Sequence, residues 1–242
     1  DHQPHSMERT HMIRTFTVAS LVALGLAGAA SAETRTYDVG SFSSIDISAG
    51  LDLSFEQGAA GPVTVENKKG DFSDIVVEVK GDTLVLKRKK NNWGWGRKRQ
   101  RYDITVSAPA INSVEASSGS DVIGRGMSGS RISIDVSSGA DVTITGVEGG
   151  TVSIETSSGS DASVSGTCET VRADSSSGSD IEARDLVCQN GEADASSGSD
   201  ITIHATSSVN AEASSGADVD VYGGPTDVTS DKSSGGSISI RG

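Results

Sequence analysis

The chain has 242 residues, of which 34% are hydrophobic and 4% aromatic, too little apolar mass for a thick globular core. Valine, isoleucine, leucine and phenylalanine together number 51, just above the level at which high net charge goes with disorder, so folding has to come from strict periodicity. With 20 basic residues against 33 acidic and a net charge of −13, the chain lacks the basic footprint with which a nucleic-acid binder displaces phosphate counterions.

Residues 1–32 read as a leader. Met12-Ile13-Arg14-Thr15 opens an apolar run from Phe16 to Ala30, and Ala30-Ser31-Ala32 stands before Glu33. One positive charge, a run too short to span a bilayer and small residues at the end are the pattern of a secretory signal peptide rather than of a retained anchor. The expected start is Met12, with Met7 the other choice, and cleavage is expected after Ala32. Residues 1–11 hold three of the four histidines and are set aside from the fold. No cysteine follows the small-residue motif, so lipid attachment there is not expected. The exported chain is placed in the periplasm or outside the cell.

A first region, 33–109, carries strand patterns at Ile45–Ser48, Leu51–Phe55, Val63–Val65, Ile75–Val79, Thr83–Leu86 and Tyr102–Val106. Ser48-Ala49-Gly50-Leu51-Asp52 echoes the corners of the later repeat, so this region reads as the first, wider coils of the same architecture. Between two of its strand patterns lies Lys87-Arg88-Lys89-Lys90-Asn91-Asn92-Trp93-Gly94-Trp95-Gly96-Arg97-Lys98-Arg99-Gln100-Arg101, in which eight of fifteen residues are basic. It reads as a hairpin tip that displays both tryptophans. Trp93 and Trp95 beside Lys89, Lys90, Arg97 and Arg99 suit an anionic membrane surface or an acidic glycan of the cell envelope, with rings stacking on sugars or sitting at headgroups and cations neutralising acids. The bland alternative is a solvated loop whose tryptophans close the end of the fold.

The second region, 110–242, is a repeat. Ser-Ser-Gly recurs with its glycines at 119, 139, 159, 178, 198, 216 and 235, at spacings of 20, 20, 19, 20, 18 and 19. A period near twenty with β-branched alternation on both sides of each glycine means two strands per coil and a solenoid, a right-handed parallel β-helix. The inward phase carries Ile132, Ile134, Val136, Val142 and Ile144, then Val152, Ile154, Thr156, Ala162 and Val164, and later Val209, Ala211, Val219 and Val221. In the middle coils it shrinks to Ala173, Ser175, Gly191, Ala193 and Ala195, which calls for close backbone stacking or a covalent staple. Cys168 and Cys188 share nearly one phase of neighbouring coils, stacked about 4.8 Å apart, so a disulfide between them is predicted.

Acidic residues are patterned on the repeat. Glu115, Asp135, Glu155, Asp174, Asp194, Glu212 and Asp231 stand four residues before each glycine, and Asp121, Asp141, Asp161, Asp180, Asp200 and Asp218 two after it. Two columns of carboxylates should therefore flank one serine-rich corner, with like-charge repulsion of roughly 1 kcal/mol per neighbouring pair before screening. Bridging of the second column by calcium or magnesium is one reading; hydrogen bonding of the aspartates to corner amides is the other.

The chain resembles the secreted bacterial family called putative autotransporter adhesin, head GIN domain. The resemblance runs through Phe42-Ser43-Ser44-Ile45-Asp46-Ile47, Gly50, Phe55-Glu56-Gln57-Gly58, Val77-Glu78-Val79-Lys80-Gly81-Asp82-Thr83-Leu84, Val106-Ser107-Ala108-Pro109 and the Ser/Gly/Asp-rich coils. It implies a β-helical fold and an extracytoplasmic address, and it carries no catalytic residues to transfer. The corners here read Ser-Ser-Gly-Ser/Ala-Asp rather than Ser-Gly-Ser-Gly, so no corner ligand is carried over.

The expected function is a secreted, non-catalytic adhesin or envelope-surface binding protein whose partner is an envelope glycan, an anionic membrane or another protein. Docking of the basic segment on the acidic columns of a second copy, or pairing of Ser237–Ile240 with another chain, would give self-association. A cation-dependent structural protein of the envelope is the alternative, with calcium the only cofactor in view. A polysaccharide-active enzyme fits poorly: His204 is the one histidine after the leader and points outward, and seven repeated serines are corners, not a singular nucleophile paired with a base.

Overall fold

The computed structural model describes residues 32–89 and 100–242. Its strands are, in chain order, β1 (Glu33–Tyr37), β2 (Ser44–Ile47), β3 (Asp52–Gln57), β4 (Val63–Asn67), β5 (Ile75–Lys80), β6 (Thr83–Arg88), β7 (Asp103–Ala108) and β8 (Ser113–Ala116). They continue with β9 (Asp121–Ser137), β10 (Asp141–Ser157), β11 (Asp161–Ser176), β12 (Asp180–Ser196), β13 (Asp200–Ala213), β14 (Asp218–Tyr222), β15 (Asp227–Lys232) and β16 (Ser237–Ile240). The fold is a parallel β-solenoid of about 6 turns, with bridges about 20 residues apart.

Alternation of period two does the packing. Along one face Val122, Val142, Ala162, Ile181, Ile201 and Val219 lie in register from β9 to β14, and along the other Ile134, Ile154, Ala173, Ala193 and Ala211 do the same. All of them are buried, as are the other inward positions read from the repeat. In the middle coils the missing volume is replaced by neighbours. A Cβ on Gly191 would lie 2.8 Å from Ile203 Cδ1, so the space a side chain would take there is already filled. Thr156 Oγ1 donates to Ser175 Oγ at 2.8 Å, and Ser175 Oγ to the Ser179 carbonyl at 2.7 Å, so the small polar interior is satisfied. Cys168 and Cys188 are direct register partners and form the disulfide, with Cα atoms 4.5 Å apart.

The corners explain the Ser-Ser-Gly motif. Its second serine has φ between 49° and 61° and its glycine φ between 65° and 82° at all seven copies. Ala140 N donates to Ser137 O at 3.3 Å, and Ala217 and Gly236 repeat the bond, so two left-handed residues inside an i to i+3 bond make a type I′ turn. A left-handed serine costs roughly 1 kcal/mol. Corner-to-corner bonds offset it, such as Gly119 N to Ser138 O at 3.1 Å and Gly178 N to Ser197 O at 3.2 Å. At the coil's far bend Gly166 is also obligatory: a Cβ would sit 2.0 Å from Val147 O.

The region 33–109 shares the sheet with the repeat. β2 runs parallel to β8 and β3 parallel to β9, so Ile47-Ser48-Ala49-Gly50-Leu51 is a further corner of the same ridge. Beyond this coil, β6 runs parallel to β2 and β7 parallel to β3. Order in space therefore departs from order in the chain. β5 closes β6, β4 closes β7 and β1 closes β4, all antiparallel, which caps this end of the rod. At the other end of the described rod lie β15 and β16, where Val228 and Ile240 are 42% and 40% exposed. The Ser237–Ile240 strand pairs with β14 of its own chain on one edge.

One expectation needs correction. The strands that flank the basic segment do not pair with each other: β6 pairs with β2 and β5, and β7 with β3 and β4. They lie on the two sides of the corner ridge, one ending at Arg88 and the other starting at Asp103, so β6 and β7 are not the two arms of a hairpin.

Candidate functional site: the corner ridge and its basic end

The period of the repeat sets the carboxylates in line. Register places Asp121, Asp141, Asp161, Asp180, Asp200 and Asp218 side by side on one flank of the ridge. Glu115, Asp135, Glu155, Asp174, Asp194, Glu212 and Asp231 line the other. The lines are longer than the repeat foretells, because Asp46 pairs with Glu115, and Asp52 stands between Asp103 and Asp121. Asp46 and Asp52 flank the Ala49-Gly50 corner at the same offsets as the acids of the repeat, which is the signal that could have found them.

The corners do not use these carboxylates as hydrogen-bond partners in the way expected. Among the described residues backbone amides reach the column aspartates at the Asp180–Asp218 end: Asp200 N donates to Asp180 Oδ1 at 3.2 Å, and the Asp218 backbone hydrogen-bonds the Asp200 carboxylate. In four of the seven copies the corner groups are served instead by the buried serine after the glycine, Ser120, Ser160, Ser179 or Ser199. Ser160 Oγ donates to the carbonyls of Val136 and Ser157 and accepts from Ser157 N; Ser199 Oγ donates to Ser175 O and accepts from Ser196 N. The aspartates are left facing solvent and one another. Among the described residues no three His, Cys, Asp or Glu side chains come together as a metal cage, and the carboxylates follow a line.

Proximity shows in their acidity. Partial burial, then Asp161 and Asp121, raise the Asp141 carboxyl above its ordinary range; burial, then Asp180 and Asp218, do the same at Asp200. Burial and Asp194 raise Asp174, and burial with Asp46 and Asp135 raises Glu115. Asp52 is also raised by burial, although Arg101 Nη2 lies 2.8 Å from its carboxylate and works the other way. A carboxyl whose folded pKa is raised contributes stability below its unfolded pKa and loses it as pH rises through the folded value. Going from about pH 7 to about pH 4.5 should therefore raise the urea midpoint at low salt, against the usual trend, with added salt narrowing the difference. A midpoint that falls on acidification would refute the repulsive ladder.

The basic end is anchored with care. Arg88, at the close of β6, is 10% exposed and its Nη1 lies 3.2 Å from Asp74 Oδ2. Its Nε donates to Ala49 O at 2.9 Å and its Nη2 to Gly50 O at 3.2 Å and to Gln100 O at 2.5 Å. One guanidinium thus receives the carbonyls of the first corner and ties the returning chain at Gln100 to the outgoing chain at Arg88. The ring of Tyr102 lies beneath it at 5.0 Å, and the Tyr102 hydroxyl donates to Asp71 O and Asp74 Oδ1. Burial, then Asp74, push the Tyr102 phenol well above its usual range, so it stays protonated as a donor. Asn67 Nδ2 donates to Arg101 O at 2.9 Å, and Lys89 N to Asp74 O at 2.7 Å.

Of the residues expected to contact a ligand, Lys89 is exposed at the start of the segment. Lys90, Trp93, Trp95, Arg97 and Arg99 lie outside the described residues. The anchoring set Arg88, Asp74, Tyr102 and Asn67 was not legible, since one buried arginine among eight cations looks like the others. His204 is half-buried, and its Nδ1 lies 3.1 Å from Arg184 O, so it has a backbone partner that its outward phase did not reveal.

A family model described as putative auto-transporter adhesin, head GIN domain, matches residues 41–225. Among solved structures, a putative adhesin from Bacteroides fragilis NCTC 9343 superposes with a TM-score of 0.79 at 23% identity, covering 89% of this chain and 100% of its own. A putative adhesin from Parabacteroides merdae ATCC 43184 has a TM-score of 0.65 at 13% identity, over 88% and 97% of the two chains. A putative lipid binding protein from Parabacteroides distasonis ATCC 8503 has a TM-score of 0.60 at 18% identity, over 87% and 96%. These likenesses show a shared fold. No curated protein matches the chain.

Proposed function

Since this chain belongs to the head GIN domain family, we propose that it is an exported, non-catalytic binding head that contacts the cell envelope through its basic tryptophan segment. The observation that carries this reading is the clamp at Arg88. It ties Gln100 to Arg88 and Arg88 to the first corner at Gly50, at the capped end of the rod, in a stretch where eight of the fifteen residues from Lys87 to Arg101 are basic. Rigid stems reduce the ordering entropy that a contact surface costs on binding. Cations beside tryptophans suit the acids and sugar faces of an envelope glycan or an anionic membrane. Along the described ridge the carboxylates repeat with the coil, whereas an active site needs singular groups converging on one point.

Co-sedimentation of the exported chain, from Glu33, with outer-membrane vesicles and with isolated envelope polysaccharide tests this reading. Binding is expected for the parent and lost in Trp93→Ala/Trp95→Ala. Failure of the parent to bind either material would move the weight to protein partners. The carboxylate lines favour a second reading, a cation-supported envelope rod in which calcium bridges neighbouring aspartates. Adding calcium to the pH series above separates the two, because bridging would remove the stability gained on acidification.

A further inference from the structure

Only six basic residues follow residue 110, against twenty acidic ones, yet two of the six meet on one ring. The guanidinium of Arg184 lies 4.2 Å from the centroid of Tyr222, and that of Arg241 lies 5.5 Å from it. Arg184 sits where β12 and β13 fall out of register, between the pairs Ala183–Ile203 and Val187–His204, so the irregularity puts it at the rod's surface. His204 pairs with Tyr222 in the next strand, and its Nδ1 contacts Arg184 O at 3.1 Å. Gly223 lets the imidazole lie there, since a Cβ at that position would come 2.6 Å from the ring and 2.5 Å from Ala205 O.

The two arginines differ in what they have left to give. Arg241 is spent: its Nη2 holds both oxygens of Asp220, at 3.0 and 2.9 Å. Arg184 is exposed and, among the described residues, makes no ion pair; the nearby Glu182 carboxylate accepts its backbone N–H at 3.1 Å. A guanidinium stacked on an aromatic ring uses its face and leaves its N–H edge free, which is the geometry that receives a carboxylate with two parallel hydrogen bonds. The stack also fixes its rotamer before any ligand arrives.

We infer that the Arg184–Tyr222 stack is a binding site for the carboxylate of a uronic-acid residue in an acidic glycan. One free fork matches one carboxylate. The surrounding excess of acids disfavours multiply charged anions such as phosphate, and the half-buried Tyr222 offers the apolar edge that a sugar ring takes. The site lies on β12–β14, toward β16 and away from the Arg88 clamp, so it stands or falls independently of the function proposed above.

The test follows NMR signals of the arginine Nε–H groups and the tyrosine rings of the full chain during titration with glucuronate, glucose and inorganic phosphate. Glucuronate should give saturable shifts, glucose none, and phosphate weaker ones. Arg184→Gln should weaken glucuronate by at least about tenfold with an unchanged melting temperature. Arg172→Gln, an arginine already paired with Glu192, should leave affinity as it was. Equal affinity in Arg184→Gln, or no saturation with glucuronate, overturns the site. Phosphate binding as tight as glucuronate overturns the uronate assignment.

Discussion

Arg88→Ala should lower the unfolding free energy by about 2 to 4 kcal/mol, because it strands a partly buried carboxylate and takes the donor from three backbone carbonyls. The arginine and Asp74 are 10% and 21% exposed, so solvent screens the pair in part. The cost is not electrostatic alone. The carbonyls of Ala49, Gly50 and Gln100 lose a donor at the same time, and Tyr102 loses the cation over its ring. Arg88→Lys separates charge from geometry: an ammonium can remain near Asp74, but it cannot reach three carbonyls in one plane, so a loss smaller than that of alanine is expected. Urea unfolding reads both. An Arg88→Ala midpoint equal to that of the parent would mean that the capped end holds without its clamp.

Removal of the Cys168–Cys188 bond by a double serine replacement should cost about 3 kcal/mol, the loop-closure value for a separation near 20 residues. The placement makes this loss matter. The staple joins β11 to β12, where the inward rows thin to Ala173, Ser175, Gly191 and Ala193, so the coils with the least apolar volume are the ones covalently tied. In hydrogen exchange the amides of β11 and β12 should gain the most exchange in the variant, and those of β9 and β10 the least. Uniform acceleration along the rod would instead show that the solenoid opens as one unit.

How much was legible depends on whether a feature repeats. Ser-Ser-Gly every twenty residues specified the corner, and alternation around it specified which side chains face inward, from Ile132 to Val221; the register bears out both. Cys168 and Cys188 could be paired because the period itself measures phase. The strand Glu33–Tyr37 carried no repeat signal and was missed. The flanks of the basic segment were misread as a hairpin, because adjacent strand patterns separated by a polar loop usually pair with each other. Here each strand finds a parallel partner one coil away.

The sequence by itself determined the solenoid, its inward rows, its disulfide and its acidic lines, because all of these depend on local alternation and on a constant spacing that can be counted along the chain. Only the tertiary structure decided the order of coils at the capped end, the placing of β6 and β7 on the two sides of the corner ridge, the clamp at Arg88 and the stacking of Arg184 on Tyr222. Those depend on contacts between residues that no period relates, 39 positions apart from Arg88 to Ala49, and on which of several cations the packing happens to bury. Repetition propagates information along a chain, whereas a singular contact exists only once the coils have been stacked.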